Sequence, residues 1–230
     1  LHKDTFWTAG QSSTKKTQDN DNKKLIYNPS KVNDPVGQVQ NTTPRQCRQA
    51  IETAKPWVST AADRTTTLNR AANLYEVHFG EIFTLLCRES GKTLADALAE
   101  LREGIDFLRY YASRTPKGSP LGIFTCISPW NFPLAIFTGQ IAAALSAGNA
   151  VLAKSAEQTP LIAAYLVDLL HQAGVPKTAL QLLPGDGTVG AMLCSDPRIS
   201  GVAFTGSIKT ALSIRAAMAH NLTPGAPLIA

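Results

Sequence analysis

Apolar positions change their rhythm along this chain, and the changes mark its elements. Residues 1–24 are rich in Lys, Asp, Asn, Gln, Ser and Thr with few apolar anchors, which predicts an extended, partly mobile lead-in or an arm leaving a preceding domain. Leu25-Ile26-Tyr27-Asn28-Pro29 and Pro35-Val36-Gly37-Gln38-Val39 are short extended segments on either side of polar residues 30–34, a hairpin pattern. Helical spacing follows in three segments. Thr43 is placed to cap a helix with Pro44 in its first turn, carried on by Cys47, Ala50, Ile51 and Ala54 and ended by Lys55-Pro56. A second amphipathic segment, about 64–89, lines up Leu68, Ala71, Leu74, Tyr75, Phe79, Ile82, Leu85 and Leu86 in one stripe. Thr93 opens a third, with Leu94, Ala97, Leu98, Leu101, Ile105 and Leu108 facing inward and Glu100, Arg102, Glu103 and Arg109 as solvated charges. Residues 113–120 form a connector rich in Pro and Gly.

From residue 121 the pattern alternates. Short apolar runs at 121–128, 150–154, 179–183 and 201–205 read as strands, and 134–147, 160–173, 189–194 and about 207–220 read as helices. Strands joined by helical crossovers build a doubly wound parallel sheet, so the fold class is α/β with a helical amino-terminal portion. The expected division is a lead-in over 1–24, a helical part over 25–120 and a Rossmann-like part over 121–230.

Composition narrows the classes. With 230 residues, 44% of them hydrophobic, the chain can bury a substantial core. Its net charge of +5 raises nucleic-acid binding, but Lys and Arg are scattered among acids except at Lys15-Lys16 and Lys23-Lys24. That reads as a solvated surface, with DNA binding kept as a third alternative. Cys47, Cys87, Cys126 and Cys194 form no CxxC pair, which argues against a zinc or other metal site and against a disulfide scaffold, and for a reducing compartment. No apolar run reaches the roughly 18 residues of a membrane span, and residues 1–24 lack a signal-peptide core. The expected location is cytoplasmic.

Candidate chemistry gathers after the strands. Ser128-Pro129-Trp130-Asn131-Phe132-Pro133 sets Asn131 on a proline-bounded turn between a strand and a helix. A fixed amide NH₂ there can stabilise a developing oxyanion, and it can equally satisfy the turn's own backbone. Lys154 and Glu157 fall at the next strand end, three residues apart, where they suit adjacent sugar hydroxyls or a plain surface ion pair. Thr205-Gly206-Ser207 opens a helix whose free amides can receive a phosphate, though Thr-Gly-Ser is also an ordinary turn. Gly185 and Gly187, in Pro184-Gly185-Asp186-Gly187, form a second glycine-rich turn. A GxGxxG followed by an acid about 20 residues later is absent, which disfavours an ordinary Rossmann dehydrogenase.

The string 127–163, running through Phe137-Thr138-Gly139-Gln140, Ala147-Gly148-Asn149-Ala150 and Lys154-Ser155-Ala156-Glu157-Gln158-Thr159-Pro160, resembles the aldehyde dehydrogenase superfamily. More narrowly, it is similar to the glutamate-semialdehyde dehydrogenase module of proline utilization A; a looser likeness extends over 26–230. The resemblance implies NAD as cofactor, with Asn131 holding the aldehyde oxygen and Ser128, Pro129 and Trp130 beside the cofactor. Lys154 and Glu157 would bind the adenosine ribose, with Gly185 and Gly187 next to it, and Thr205, Gly206 and Ser207 the pyrophosphate. FAD would enter only with a fused proline dehydrogenase domain. The implied substrate is L-glutamate γ-semialdehyde, and the implied parent is a homo-oligomer.

Two departures qualify this. Ser155 replaces the usual Pro, and residues 113–120 are shorter than the family's insertion, which leaves quaternary structure open. The family's nucleophilic cysteine and water-activating glutamate would lie beyond Pro227-Leu228-Ile229-Ala230, so this chain alone is expected to be inactive. None of the four cysteines replaces the nucleophile, and His78, His171 and His220 form no triad. A catalytically silent NAD-binding module and an aldehyde dehydrogenase of another substrate class remain the alternatives.

Overall fold

The computed structural model describes residues 5–10 and 23–230. Lys15 and Lys16 lie outside them. The first elements form a small sheet. Strand β1 (Trp7–Ala9) runs parallel to β3 (Lys31–Gln40), which pairs antiparallel with β2 (Lys23–Asn28). The hairpin turn is therefore at Pro29-Ser30, tighter than the polar break at 30–34 suggests, because Lys31 already pairs with Asn28. Within the lead-in, Trp7–Ala9 is anchored: Ala9 is buried, and the Trp7 and Tyr165 rings meet edge to face with centroids 5.1 Å apart.

Four helices follow. Helix α1 (Pro44–Thr53) starts as expected: the Thr43 hydroxyl accepts from the Gln46 N–H, and the Gln46 side chain accepts from the Thr43 N–H. Such a reciprocal cap is worth about 1 kcal/mol. The stripe over 64–89 belongs to two helices rather than one, α2 (Ala61–Val77) and α3 (Phe79–Glu89), with His78 closing the first and opening the second. Helix α4 (Leu94–Ser113) is capped by Thr93. Its inward face is Ala97, Leu101, Ile105 and Leu108; Leu94 and Leu98 are half exposed, against expectation.

The main sheet has the order β6-β5-β4-β7-β8, all parallel, with β4 (Ile123–Ile127), β5 (Ala150–Lys154), β6 (Leu180–Leu182), β7 (Ile199–Phe204) and β8 (Leu228–Ile229). The crossovers are α5 (Ala135–Ser146), α6 (Pro160–Ala173), α7 (Gly187–Cys194) and α8 (Ile208–Asn221). Alternate strand residues feed two cores. Val151 and Ala153 pack with α5, α6 and the outer helices α2–α4, while Ala150 and Leu152 pack with α1, α7 and α8. Helices α5 and α6 are sandwiched between the sheet and α2–α4, which is why they are apolar nearly all round. No helix among the described residues is long and apolar enough to cross a membrane.

Candidate functional site

In the order β6-β5-β4-β7-β8 the chain works outward from β4 on one side, then returns to lay β7 on the other. The two crossovers leave in opposite directions between β4 and β7, which opens a crevice at the carboxyl ends of those strands. Every candidate residue lies at that edge. Ser128 to Asn131 follow β4, Lys154 and Glu157 follow β5, Gly185 and Gly187 follow β6, and Thr205, Gly206 and Ser207 follow β7. Backbone bonds stitch the strand ends together: the Ser128 N–H donates to Lys154 O at 3.2 Å and the Thr205 N–H to Ile127 O at 3.0 Å. Gln140 on α5 spans the seam, its amide donating to Ile127 O and to Thr205 Oγ1, both at 3.2 Å.

Asn131 is exposed, and among the described residues its side chain has no hydrogen-bond partner. The turn does not consume the amide. Trp130 is 58% exposed, Pro129 is half-buried, and Ser128 is buried with an unpartnered hydroxyl. The turn is held from α4 instead. Glu100, expected among solvated charges, is only 2% exposed; its Oε1 accepts from the N–H groups of Leu134 at 2.8 Å and Ala135 at 3.2 Å. Lys92 Nζ forms an ion pair with Glu100 Oε2 at 2.8 Å and lies 4.8 Å from the Phe132 ring centre.

A second carboxyl does the same for α6. Glu89 accepts from Leu161 N–H at 2.6 Å and Ile162 N–H at 2.8 Å. Burial pushes this carboxyl up to about 8, against the pull of those two amides, and among the described residues no cation pairs with it. Neither role has a local signal in the sequence, because each acid meets backbone groups dozens of residues away.

Lys154 is nearly buried, and its ammonium donates to Ser155 O at 3.0 Å. Burial lowers its affinity for a proton, while Glu157 and Asp186 oppose that shift. Glu157 is exposed and makes no ion pair with Lys154, so the surface-pair reading fails. Asp186 caps α7 through the Thr188 N–H at 2.8 Å, and that bond holds its carboxyl below the usual range. A side chain at Gly187 would enter open space, whereas one at Gly185 would strike Val189. Ser207 caps α8, accepting from the Thr210 N–H at 3.2 Å, with Thr205 and Gly206 exposed beside it.

An apolar cavity of about 450 Å³, lined by Phe107, Tyr111, Ile136, Gln140, Ala203 and Ile229 among others, lies beside α5 between α4 and the sheet, with no Lys or Arg among its described lining residues. Cys47, Cys126 and Cys194 are buried and Cys87 is half-buried; burial raises all four thiols, Cys126 and Cys194 to about 12. None has the lowered pKa of an activated thiolate. His78 bonds Tyr165 at 2.9 Å, away from any thiol, and among the described residues no three metal-ligating side chains converge.

The sequence profile of the aldehyde dehydrogenase family matches residues 16–226. The bifunctional protein PutA of Escherichia coli (strain K12) is 51% identical over 209 residues, 86% of this chain but 16% of that protein. A 1-pyrroline-5-carboxylate dehydrogenase of Anoxybacillus flavithermus is 36% identical over 226 residues, covering 87% of this chain and 44% of the relative. Among solved structures, an NAD-dependent benzaldehyde dehydrogenase of Corynebacterium glutamicum superposes with a TM-score of 0.83 at 26% identity, over 92% of this chain and 51% of the other. The chain thus spans less than half the length of these two curated relatives.

Proposed function

This chain belongs to the aldehyde dehydrogenase family, and we propose that it supplies the NAD-binding crevice and the oxyanion-holding asparagine of an NAD-dependent L-glutamate γ-semialdehyde dehydrogenase acting in proline breakdown. The observation that carries this reading is the unspent Asn131 amide, held across a stitched seam from the open amino terminus of α8.

Elimination among the four crossover helices supports the placement of NAD. An anion is drawn to a helix amino terminus by free N–H groups and the helix dipole. The α5 and α6 termini are filled by Glu100 and Glu89, and α7 is capped by the Asp186 carboxylate. Of these four, and among the described residues, α8 alone begins with a hydroxyl cap and no carboxyl group, so its start, with Thr205 and Gly206, suits the pyrophosphate. Glu157 and Lys154, two strands away, suit the ribose hydroxyls, the exposed carboxylate accepting and the ammonium donating. NAD, when bound, accepts the hydride; the chain's own residues bind it, orient it and hold the aldehyde oxygen. The thiol and the water-activating carboxylate that this chemistry needs come, in this reading, from outside the described residues.

The substrate assignment rests on the names of the relatives. The apolar cavity offers no cation for a substrate carboxylate, so that selection is assigned to other residues. A substrate panel separates the semialdehyde from other aldehydes. The test of the site is Asn131→Ala in the full-length enzyme. Its kcat is expected to fall on the order of 100-fold, with the Kd for NAD nearly unchanged. Unchanged turnover with chemistry rate-limiting would remove the oxyanion role.

A further inference from the structure

We infer that Glu100, with Lys92, is a positioning residue for Asn131: it sets the amide's place by holding the first residue pair at the start of α5. The inference rests on the oxyanion reading of Asn131 and extends it to a side chain that touches neither aldehyde nor cofactor.

The turn after β4 is short and anchored at both ends. Its first anchor is the Ser128 N–H on Lys154 O. Its second is Leu134, and there α4 makes a two-part socket. Glu100 Oε1 takes the Leu134 and Ala135 N–H groups. One helical turn on, Gly104 leaves room for the Leu134 side chain; a Cβ at Gly104 would sit on top of Leu134 Cδ2. Backbone and side chain of one buried residue are therefore fixed by one face of α4. Helix α5 offers no side-chain cap of its own at Leu134, so without Glu100 these buried donors have no acceptor.

Between the anchors lie Pro129, Trp130, Asn131, Phe132 and Pro133. Two prolines lock φ, and the Phe132 ring sits under the Lys92 ammonium that also neutralises Glu100. Asn131 and the exposed Trp130 carry the side-chain donors of this span, and among the described residues neither donor is engaged. Such an arrangement fixes a hydrogen-bond donor without spending it, and misplacing a donor by about 1 Å is enough to cost catalysis heavily.

The test is a double-mutant cycle in the full-length enzyme, reading the hydride-transfer rate and the Kd for NAD. Glu100→Ala is expected to lower kcat on the order of 10-fold with the Kd for NAD within about twofold. Glu100→Gln, which keeps an acceptor oxygen for the two amides, should recover most of the rate. In an Asn131→Ala background, Glu100→Ala should cost almost nothing further, because its effect passes through Asn131. Should Glu100→Ala fail to fold, Gly104→Ala displaces Leu134 without touching charge and takes its place in the cycle. An undiminished loss in the Asn131→Ala background would overturn the positioning role, as would full activity in the Glu100 and Gly104 variants. If Asn131→Ala alone retains full kcat, the oxyanion reading itself fails, and the positioning role fails with it.

Discussion

The turns after β4 and β7 lie side by side at one edge of the sheet, and their helices are finished in opposite ways. At α5 the first amides are buried and filled by Glu100 from another helix. At α8 they are left to solvent with only the Ser207 hydroxyl for a cap. The first arrangement holds a piece of chain still; the second keeps an electropositive end available. The proposed NAD site would use both, a fixed group for the chemistry and an open one for the ligand's charge. The α6 terminus repeats the closed form through Glu89, but among the described residues without a cation, so the same closure carries a different electrostatic cost.

Giving α8 the closed form should break the contrast most sharply. Ser207→Asp keeps a good cap, so the fold is expected to be at least as stable. In the proposed binding mode the added carboxylate would face the pyrophosphate, and the Kd for NAD should rise on the order of 30-fold. An unchanged Kd by calorimetry would place the phosphates elsewhere. A smaller loss, about 10-fold in NAD affinity with an unchanged unfolding midpoint, is expected for Glu157→Ala if its exposed carboxylate meets the ribose. Equal affinity for NAD in the variant would count against that contact.

The mildest probe separates the two closed ends. The Glu89 carboxyl titrates near 4.5 when free and near 8 in the fold, so the folded state holds the extra proton between those values. Stability from this group is therefore full below about 4.5, declines as pH rises, and levels off above about 8. Glu89→Gln should flatten that part of the stability profile. Urea unfolding at pH 5.5 and 8 checks this, and an identical slope in both proteins would refute it.

How much of this was legible follows from the range of the interactions. Thr43-Pro44 and Thr93 signal their helices because a cap and its amides are three residues apart, and β5 and α6 fall on the expected residues. The break at His78 was hidden because α2 and α3 share one apolar stripe across it. Strands β1 and β8 are too short to carry a period. Leu94 and Leu98 fit the helical spacing, yet half of each remains exposed. Glu100 and Glu89 look like surface acids in any window of sequence, since their partners are the amides of distant helices. The turns that follow the strands could thus be read from the chain, while the groups that hold them could not.

The Gln140 amide, bonded to Ile127 and Thr205 together, also bears on motion. Together with the backbone ladder between β4 and β7, it ties the ends of the two strands that border the crevice and opposes sliding of one against the other. The connection before β8 has no such tie at Gly225, which takes a left-handed φ of 89° with nothing packed where a side chain would be, so resistance to shear is concentrated at the β4–β7 seam.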